Sequence, residues 1–476
     1  MTTPREPAAG LRAPPVPALR RALPWLLASS LLAACATVPE YDPTMGRTAT
    51  VAKPEIIGTA GPLPAAESRA LLLRLGGGEP GVGGMLWRHL TIEQAVAETP
   101  LIAGNRIQLL RDGPASFQAI FAAIHAARQR IDLEYFIFED VEFNGEKLGD
   151  LLTAKRREGV TVNIIIDSFG TSATPAAFLE RLRAAGVTIV AFNPLNPLAA
   201  GTNFAPNHRD HRKILLADGR LAIIGGVNLS ADYQSHPSRG SSTPPATPKL
   251  PWRDTDLRIE GPAVAQVQAL FDKHWHDQNG PPLPQAKPPA AEAGHEVMRI
   301  IGSTPDHAIP RYYVAMLSAI RMAERSISIT AAYFVPTRQA REDLAEAARR
   351  GVAVRLLLPD ASDSPRAIDV AHSTYAELLD AGVKIHETHG IVLHAKTVVI
   401  DGVWSMVGSS NFDQRSVLFN DEVDAVVLGT ETAIALERMF DDDLRGAHAI
   451  NAAEWSRRPL PQKLREQLSR GAESVL

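Results

Sequence analysis

Asn207-His208-Arg209-Asp210-His211-Arg212-Lys213-Ile214-Leu215-Leu216-Ala217-Asp218 holds the spacing His-x-Lys-x4-Asp at His211, Lys213 and Asp218. The same spacing returns at His394, Lys396 and Asp401. Each copy is followed, 17 residues after its His, by an Asn: Asn228 in Gly225-Gly226-Val227-Asn228 and Asn411 in Gly408-Ser409-Ser410-Asn411. Two copies with a matching downstream Asn imply an internal duplication that carries one motif per half.

The sequence around each copy supports that reading. In the first half, apolar residues at helical spacing (Phe117, Ile120, Phe121, Ile124) run into a strand pattern over 131–138. A helical stretch at 148–157 leads to an apolar strand at 160–167, and one at 176–185 leads to a strand at 187–191. The second half repeats the order: 316–322 into 327–335, 342–350 into 352–360, and 374–381 into 383–386. A Gly follows the later helices of both halves, as a C-cap of positive φ requires. Near-continuous apolar strands separated by helices indicate sheets covered on both faces. The expected fold is α/β, two tandem α/β/α repeats related by a pseudo-twofold axis with one active site at their interface. The boundaries expected are a signal segment at 1–34, a tether at 35–100, a first repeat at 101–280 and a linker at 281–295. A second repeat at 296–446 and a tail at 447–476 follow, the tail expected as a solvated helix packed on the domain, with a membrane-surface helix as the alternative. The tether is rich in Pro, Gly and Ala, with amphipathic patches at 68–75 and 92–98. The halves differ at a longer approach to the first motif, over 192–206, and at a Ser/Pro/Gly insertion over 235–251.

Composition narrows the function. Hydrophobic content of 45% and charged content of 21% are those of a globular protein. A net charge of −4 supplies no global basic field, which counts against nucleic acid as the main partner. Cys35 is the only cysteine, which excludes an intramolecular disulfide and a Cys-based zinc site. It follows Arg12, Arg20, Arg21 and an apolar run over 22–34, the order of a secretory signal too short for a comfortable membrane span. Leu32-Ala33-Ala34-Cys35 resembles a bacterial lipobox, which implies lipidation of Cys35 and a lipid-anchored place in the cell envelope. Ala36 after it favours, by the same resemblance, the outer membrane over the inner, on the periplasmic face.

The motif residues suit a phosphodiester. In a strand, residues i and i+2 share a face, so His211 projects with Lys213 and His394 with Lys396. Two lysines and the Asn228 and Asn411 amides would hold non-bridging oxygens as negative charge builds. One His attacks phosphorus while the other, protonated, serves the leaving alkoxide. A His also needs an acceptor on its other nitrogen. Glu422 lies 28 residues after His394, and Asp254, in Trp252-Arg253-Asp254-Thr255-Asp256, holds the matching place in the first half once the insertion is discounted. Asp218 and Asp401 stand at the far end of their strands, before Gly219 and Gly402, where turn formation is their plain role. The motif histidines have no carboxylate or Cys cluster at metal spacing beside them, so no metal is expected. His125, His274, His276 and His372 read as structural, and Tyr135 and Tyr333 as core with a wall of the site as an alternative.

These residues resemble the phospholipase D superfamily, in which two such motifs form one metal-independent site with a phosphohistidine intermediate. Arg209–Lys213, Gly225–Leu229, Trp252–Pro262 and Gly408–Ser416 are similar to segments of bacterial cardiolipin synthases, and the likeness spans roughly residues 105–445. It implies a catalytic set of His211, Lys213, Asp218, His394, Lys396 and Asp401, with no cofactor. It also implies transfer of a phosphatidyl group from one phosphatidylglycerol to a second, with phosphatidylethanolamine as a further candidate substrate. Hydrolysis to phosphatidic acid is the alternative, a nuclease comes third, and a lipid-binding protein without catalysis is the reading from another class. A monomer is expected.

Overall fold

The computed structural model describes residues 38, 40, 55–75, 82–97, 99–196, 205–234, 250–284, 291–307 and 309–471. The signal-like segment with Cys35 and most of the 235–251 insertion lie outside them.

Seven strands build the first half: β1 (Leu101–Arg111), β2 (Arg130–Tyr135), β3 (Thr161–Asp167), β4 (Thr188–Phe192), β5 (Lys213–Ala217), β6 (Leu221–Gly225) and β7 (Thr255–Glu260). Seven matching strands, with Ala447–Ala449 added antiparallel outside β11, build the second: β8 (Glu296–Ser303), β9 (Ser326–Thr330), β10 (Ala353–Pro359), β11 (Lys384–Thr388), β12 (Thr397–Ile400), β13 (Trp404–Gly408) and β14 (Asn420–Leu428). The first sheet runs β4-β3-β2-β5-β6-β7-β1, parallel from β4 to β2 and antiparallel beyond. The second runs β11-β10-β9-β12-β13-β14-β8 with the same senses at every step. β1 and β8 then pair antiparallel, joining the two sheets at their equivalent edges. The duplication read from the motifs is thus a duplication of topology.

Helices follow the same repeat. α1 (Asp112–Ala126), α2 (Leu148–Arg157), α3 (Ala176–Ala184) and α4 (Val264–Asp277) correspond in order to α5 (Arg311–Met322), α6 (Arg338–Arg349), α7 (Pro365–Asp380) and α8 (Thr430–Leu444). Gly159 and Gly351 close α2 and α6 at φ of 88° and 93°, where a side chain would be strained. Leu257, Phe271 and Trp275 of the first half share one buried core with Met298, Val423 and Leu436 of the second. That shared core sits between the repeats and fixes their relative position.

The 35–100 stretch is folded where it is described, which corrects its reading as a tether. Ile56–Gly58 adds in parallel to β1, and helices Ala65–Leu75 and Val82–Ala97 contain the two amphipathic patches. Leu72, Leu86 and Leu90 are buried in the second half's core. Glu93 is fully buried against Arg299 at 2.8 Å and accepts from Trp404 Nε1 at 2.9 Å. The amphipathic patches are parts of longer helices, whose burial depends on partners in the second half that a hydropathy pattern cannot see. The tail forms the expected helix, Leu460–Arg470, packed on α7.

Candidate active site

Each motif His stands two or three residues before a sheet strand, at a crossing between the halves. Arg209–Asp210 pairs in parallel with Asn420–Asp421, and Trp252–Arg253 pairs in parallel with Val392–Leu393. These pairings are the same contact seen from the two ends of the pseudo-twofold axis. They place the His211 N–H on the Asp421 carbonyl at 2.9 Å and the His394 N–H on the Arg253 carbonyl at 2.7 Å. The next residue along each receiving strand is a carboxylate. Glu422 therefore reaches His211 Nδ1 at 3.0 Å, and Asp254 reaches His394 Nδ1 at 2.6 Å. Sequence position located both carboxylates by their own halves; the fold gives each to the histidine of the other half. With Nδ1 so engaged on both rings, Nε2 is the nitrogen left for chemistry.

The lysines project beside the histidines as the strand period requires. Lys213 Nζ donates to the His211 carbonyl at 2.5 Å and Lys396 Nζ to the His394 carbonyl. All four motif side chains are largely withdrawn from water, and the charges of the two motifs feel one another. Burial, with Lys213 and Lys396 nearby, lowers the His211 imidazole to about 4 against the pull of Glu422. Burial, reinforced by Lys396, lowers the Lys213 ammonium to about 7. His394 is lowered by burial and by Lys396, and Lys396 chiefly by burial. Burial pushes the Glu422 carboxyl up, but His211, Lys213 and Ser409 together hold it below its ordinary value. Four depressed bases in one site favour the entry of an anion, whose charge would raise them.

The two ends of the site differ in detail. Glu422 also accepts from Ser409 Oγ at 2.5 Å, Ser416 Oγ at 2.8 Å and Asn420 Nδ2 at 3.1 Å. Asp254 accepts from the Thr255 N–H at 2.7 Å. Gly226 holds the place equivalent to Ser409, and a Cβ there would stand 2.1 Å from Asp254 Oδ1. Tyr233 donates to or accepts from His394 Nδ1 at 3.1 Å, and the Trp252 ring lies 5.1 Å from the His394 ring. Tyr333, one of the two tyrosines left between core and wall, presents its edge to His394 at 6.0 Å, while Tyr135 is buried beside Lys213. Phe136 lies edge-on to His211 at 5.3 Å. Sequence reasoning missed Tyr233, although it stands five residues after Asn228, as Ser416 stands five after Asn411.

Asp218, Asp401 and Asn228 are placed otherwise than expected. Asp218 and Asp401 do not reach the histidines. Asp218 accepts from the N–H groups of Arg128, Gln129 and Arg130 at 2.8, 2.8 and 2.9 Å. Asp401 accepts from those of Glu324, Arg325 and Ser326 at 2.9, 2.7 and 2.9 Å. Both adopt φ of 54° in the turn. Their catalytic listing is corrected to a structural one: each staples a strand turn to the start of the neighbouring strand. Asn228 is committed within the fold, accepting from Ile137 N at 3.2 Å and donating to Tyr233 at 3.2 Å. Asn411 is 5% exposed and its backbone N–H donates to Ser416 Oγ at 3.1 Å.

On the opposite face of the same strand start, Asp210 and Arg212 meet a second polar group. His274 Nδ1 bonds Glu134 at 2.8 Å, Arg212 reaches Glu134 at 3.2 Å, and His208 bonds Asp421 at 3.0 Å. Ligand-type atoms of Glu134, Asp210 and His274 lie within 4.8 Å of one another. The Arg212 guanidinium already supplies a cation there. A cavity of about 1510 Å³ opens on this side, past His208, Arg212 and Asp421. The motif histidines and lysines do not line it, so the chemistry is located by the paired geometry and not by cavity size.

The chain matches the family described as "Cardiolipin synthase, PLD-like domain" over residues 120–237 and 316–444. It is 33% identical over 388 residues to a cardiolipin synthase of Geobacillus kaustophilus, covering 80% of this chain and 74% of that one. It is 36% identical over 351 residues to cardiolipin synthase A of Pseudomonas aeruginosa, covering 73% and 69%. Among solved structures, the phosphatidylserine synthase of Haemophilus influenzae superposes with a TM-score of 0.61 over 81% of this chain and 99% of that one. Its 14% identity makes that a likeness of fold alone.

Proposed function

The chain belongs to the cardiolipin synthase family of phospholipase D-like proteins, and we propose that it joins two phosphatidylglycerol molecules through a phosphohistidine. The observation that carries this is the reciprocal arrangement: each His is held at Nδ1 by a carboxylate of the other half and flanked by its own buried Lys. One His Nε2 attacks phosphorus of the donor, and the bond from phosphorus to the glycerol oxygen breaks. The other His, protonated, gives its proton to that oxygen and glycerol leaves. Now neutral, it takes the proton from a hydroxyl of the second phosphatidylglycerol, whose oxygen attacks phosphorus and releases the first His. Cardiolipin is the product. Both imidazoles are depressed before substrate binds, and the phosphodiester anion between them raises the one that must be the acid.

Labelled phosphatidylglycerol followed by mass spectrometry tests the reading, with cardiolipin and glycerol as expected products. Phosphatidic acid in their place would turn the assignment to hydrolysis. His211→Ala and His394→Ala should each lower turnover by about 10³-fold or more, and the double variant should be little worse than either. Near-normal turnover in either single variant would sink the two-histidine mechanism.

We further propose that Cys35 is lipidated and holds the protein at the periplasmic face of the envelope, at the outer membrane. The basic, apolar and small-residue order before Cys35 supports this. Metabolic labelling with a radioactive fatty acid should mark the protein, and Cys35→Ser should not be marked.

A further inference from the structure

The helix Leu460–Arg470 is docked in the reverse of the usual sense. Its one buried residue is Glu466, which pairs with Arg458 at 2.7 Å and approaches His372 of α7. Trp455, just before it, packs against His372 and Tyr375 of α7 at ring separations of 5.1 and 5.0 Å. The apolar residues of the helix turn outward. Leu460, Leu464 and Leu468 are 73%, 64% and 79% exposed, and their i, i+4, i+8 spacing sets them in one stripe. A leucine stripe held outward by an inward ionic pin calls for a partner outside the described chain.

We propose that this stripe is a bilayer-docking surface that seats the enzyme on anionic lipid. Charge favours that occupant. The helix carries Lys463, Arg465 and Arg470 against one acidic residue, Glu466, which is buried; Lys463 and Arg470 are half-buried, and Arg465 is exposed beside Asp369. Anionic head groups complement such a face, as at interfacial amphipathic helices. A second copy of the chain would set like charges against one another over one short helix, less area than a stable dimer buries. Position favours it too. Arg465 holds Asp369 at 2.9 Å near the start of α7. The loop before α7 begins about one turn from that contact. There Asp363 accepts from Tyr333 at 2.5 Å, and Tyr333 is a wall of the His394 end of the site. The proposal rests on the lipid-transferase reading but adds a contact distinct from the N-terminal anchor.

The test uses the full chain and two readouts. Hydrogen exchange of the 457–471 segment is followed with and without vesicles of phosphatidylglycerol and phosphatidylethanolamine. Turnover is compared on those vesicles and on monomeric, short-chain phosphatidylglycerol. The wild-type segment should gain protection on adding anionic vesicles, and less so with neutral phosphatidylcholine vesicles. Leu464→Glu with Leu468→Glu should abolish that gain and lower turnover on vesicles at least tenfold, with turnover on the monomeric lipid unchanged. Unaltered protection on adding vesicles would overturn the proposal. So would an equal loss on both substrates, or a drop from dimer to monomer in light scattering without a change on vesicles. If the wild type made no cardiolipin from either substrate, the functional reading would fail, while the exchange measurement would still decide docking.

Discussion

Gly226 and Ser409 occupy equivalent places, yet one lacks a side chain and the other uses its hydroxyl. Ser409 Oγ helps hold Glu422, whereas a Cβ at 226 would push into the Asp254 carboxylate. Asp254 is short and cannot yield without leaving His394. Gly226→Ala should therefore keep the fold but lower kcat by about tenfold or more, since an orienting hydrogen bond is lost from a catalytic imidazole. Steady-state kinetics beside a melting curve check this; an unchanged kcat would show that Asp254 does not position His394. Asp256 and Asp424, two residues beyond the orienters, are both raised by burial to about 7 and lie beneath the site as a matched pair. Their likeness is further evidence that the halves kept the same buried scaffold while the residues touching the histidines diverged.

At the scale of elements, the turn aspartates and the N-terminal helix carry stability. Asp401 satisfies three N–H groups at the start of β9 and sits at positive φ, which Asp and Asn tolerate better than other side chains. Asp401→Ala should cost about 2–4 kcal/mol in denaturant unfolding, with kcat per folded molecule retained. A loss of kcat without a loss of stability would return Asp401 to the catalytic set. Glu93 welds the Val82–Ala97 helix to β8 and β13 through Arg299 and Trp404. Burial opposes its ionisation, but Arg299 and His89 overcome that and bring its carboxyl down to about 2. A carboxyl lowered on folding stabilises the fold above its unfolded value near 4.5, and that contribution is lost as pH falls toward 2. Glu93→Gln should thus be less stable than the parent at pH 7, by about 3–5 kcal/mol for a broken buried pair. The gap should narrow steadily below pH 4.5, and a gap independent of pH would show that the pair contributes no ionic stabilisation.

Across the whole molecule, each histidine depends on the half that does not contain it. His211 takes Glu422, His394 takes Asp254, and the strand starts that deliver them cross at the pseudo-twofold axis. A chain with His211→Ala mixed with one carrying His394→Ala should show no recovery of cardiolipin formation, because each molecule holds one complete site built from its own two halves. Recovery to a substantial fraction of parental activity would mean that halves exchange between molecules.

Much of this is legible in the sequence. Strand period set His211 with Lys213 and His394 with Lys396, and the repeat of helices and strands announced two equivalent sheets, because these are properties of local spacing. Local spacing has no term for what lies across an interface. It therefore located Glu422 and Asp254 without assigning them crosswise, and it passed over Tyr233 and Trp252 beside His394. Asp218 and Asp401, by contrast, read from position as the turn formers they are, and only the family resemblance put them in the catalytic set. The same blindness made a buried Glu93 look like tether, while the outward leucines of 460–468 read as an ordinary packed helix. Which face of an element is inside is settled by its neighbours, and the neighbours that matter here come from the far half of the chain.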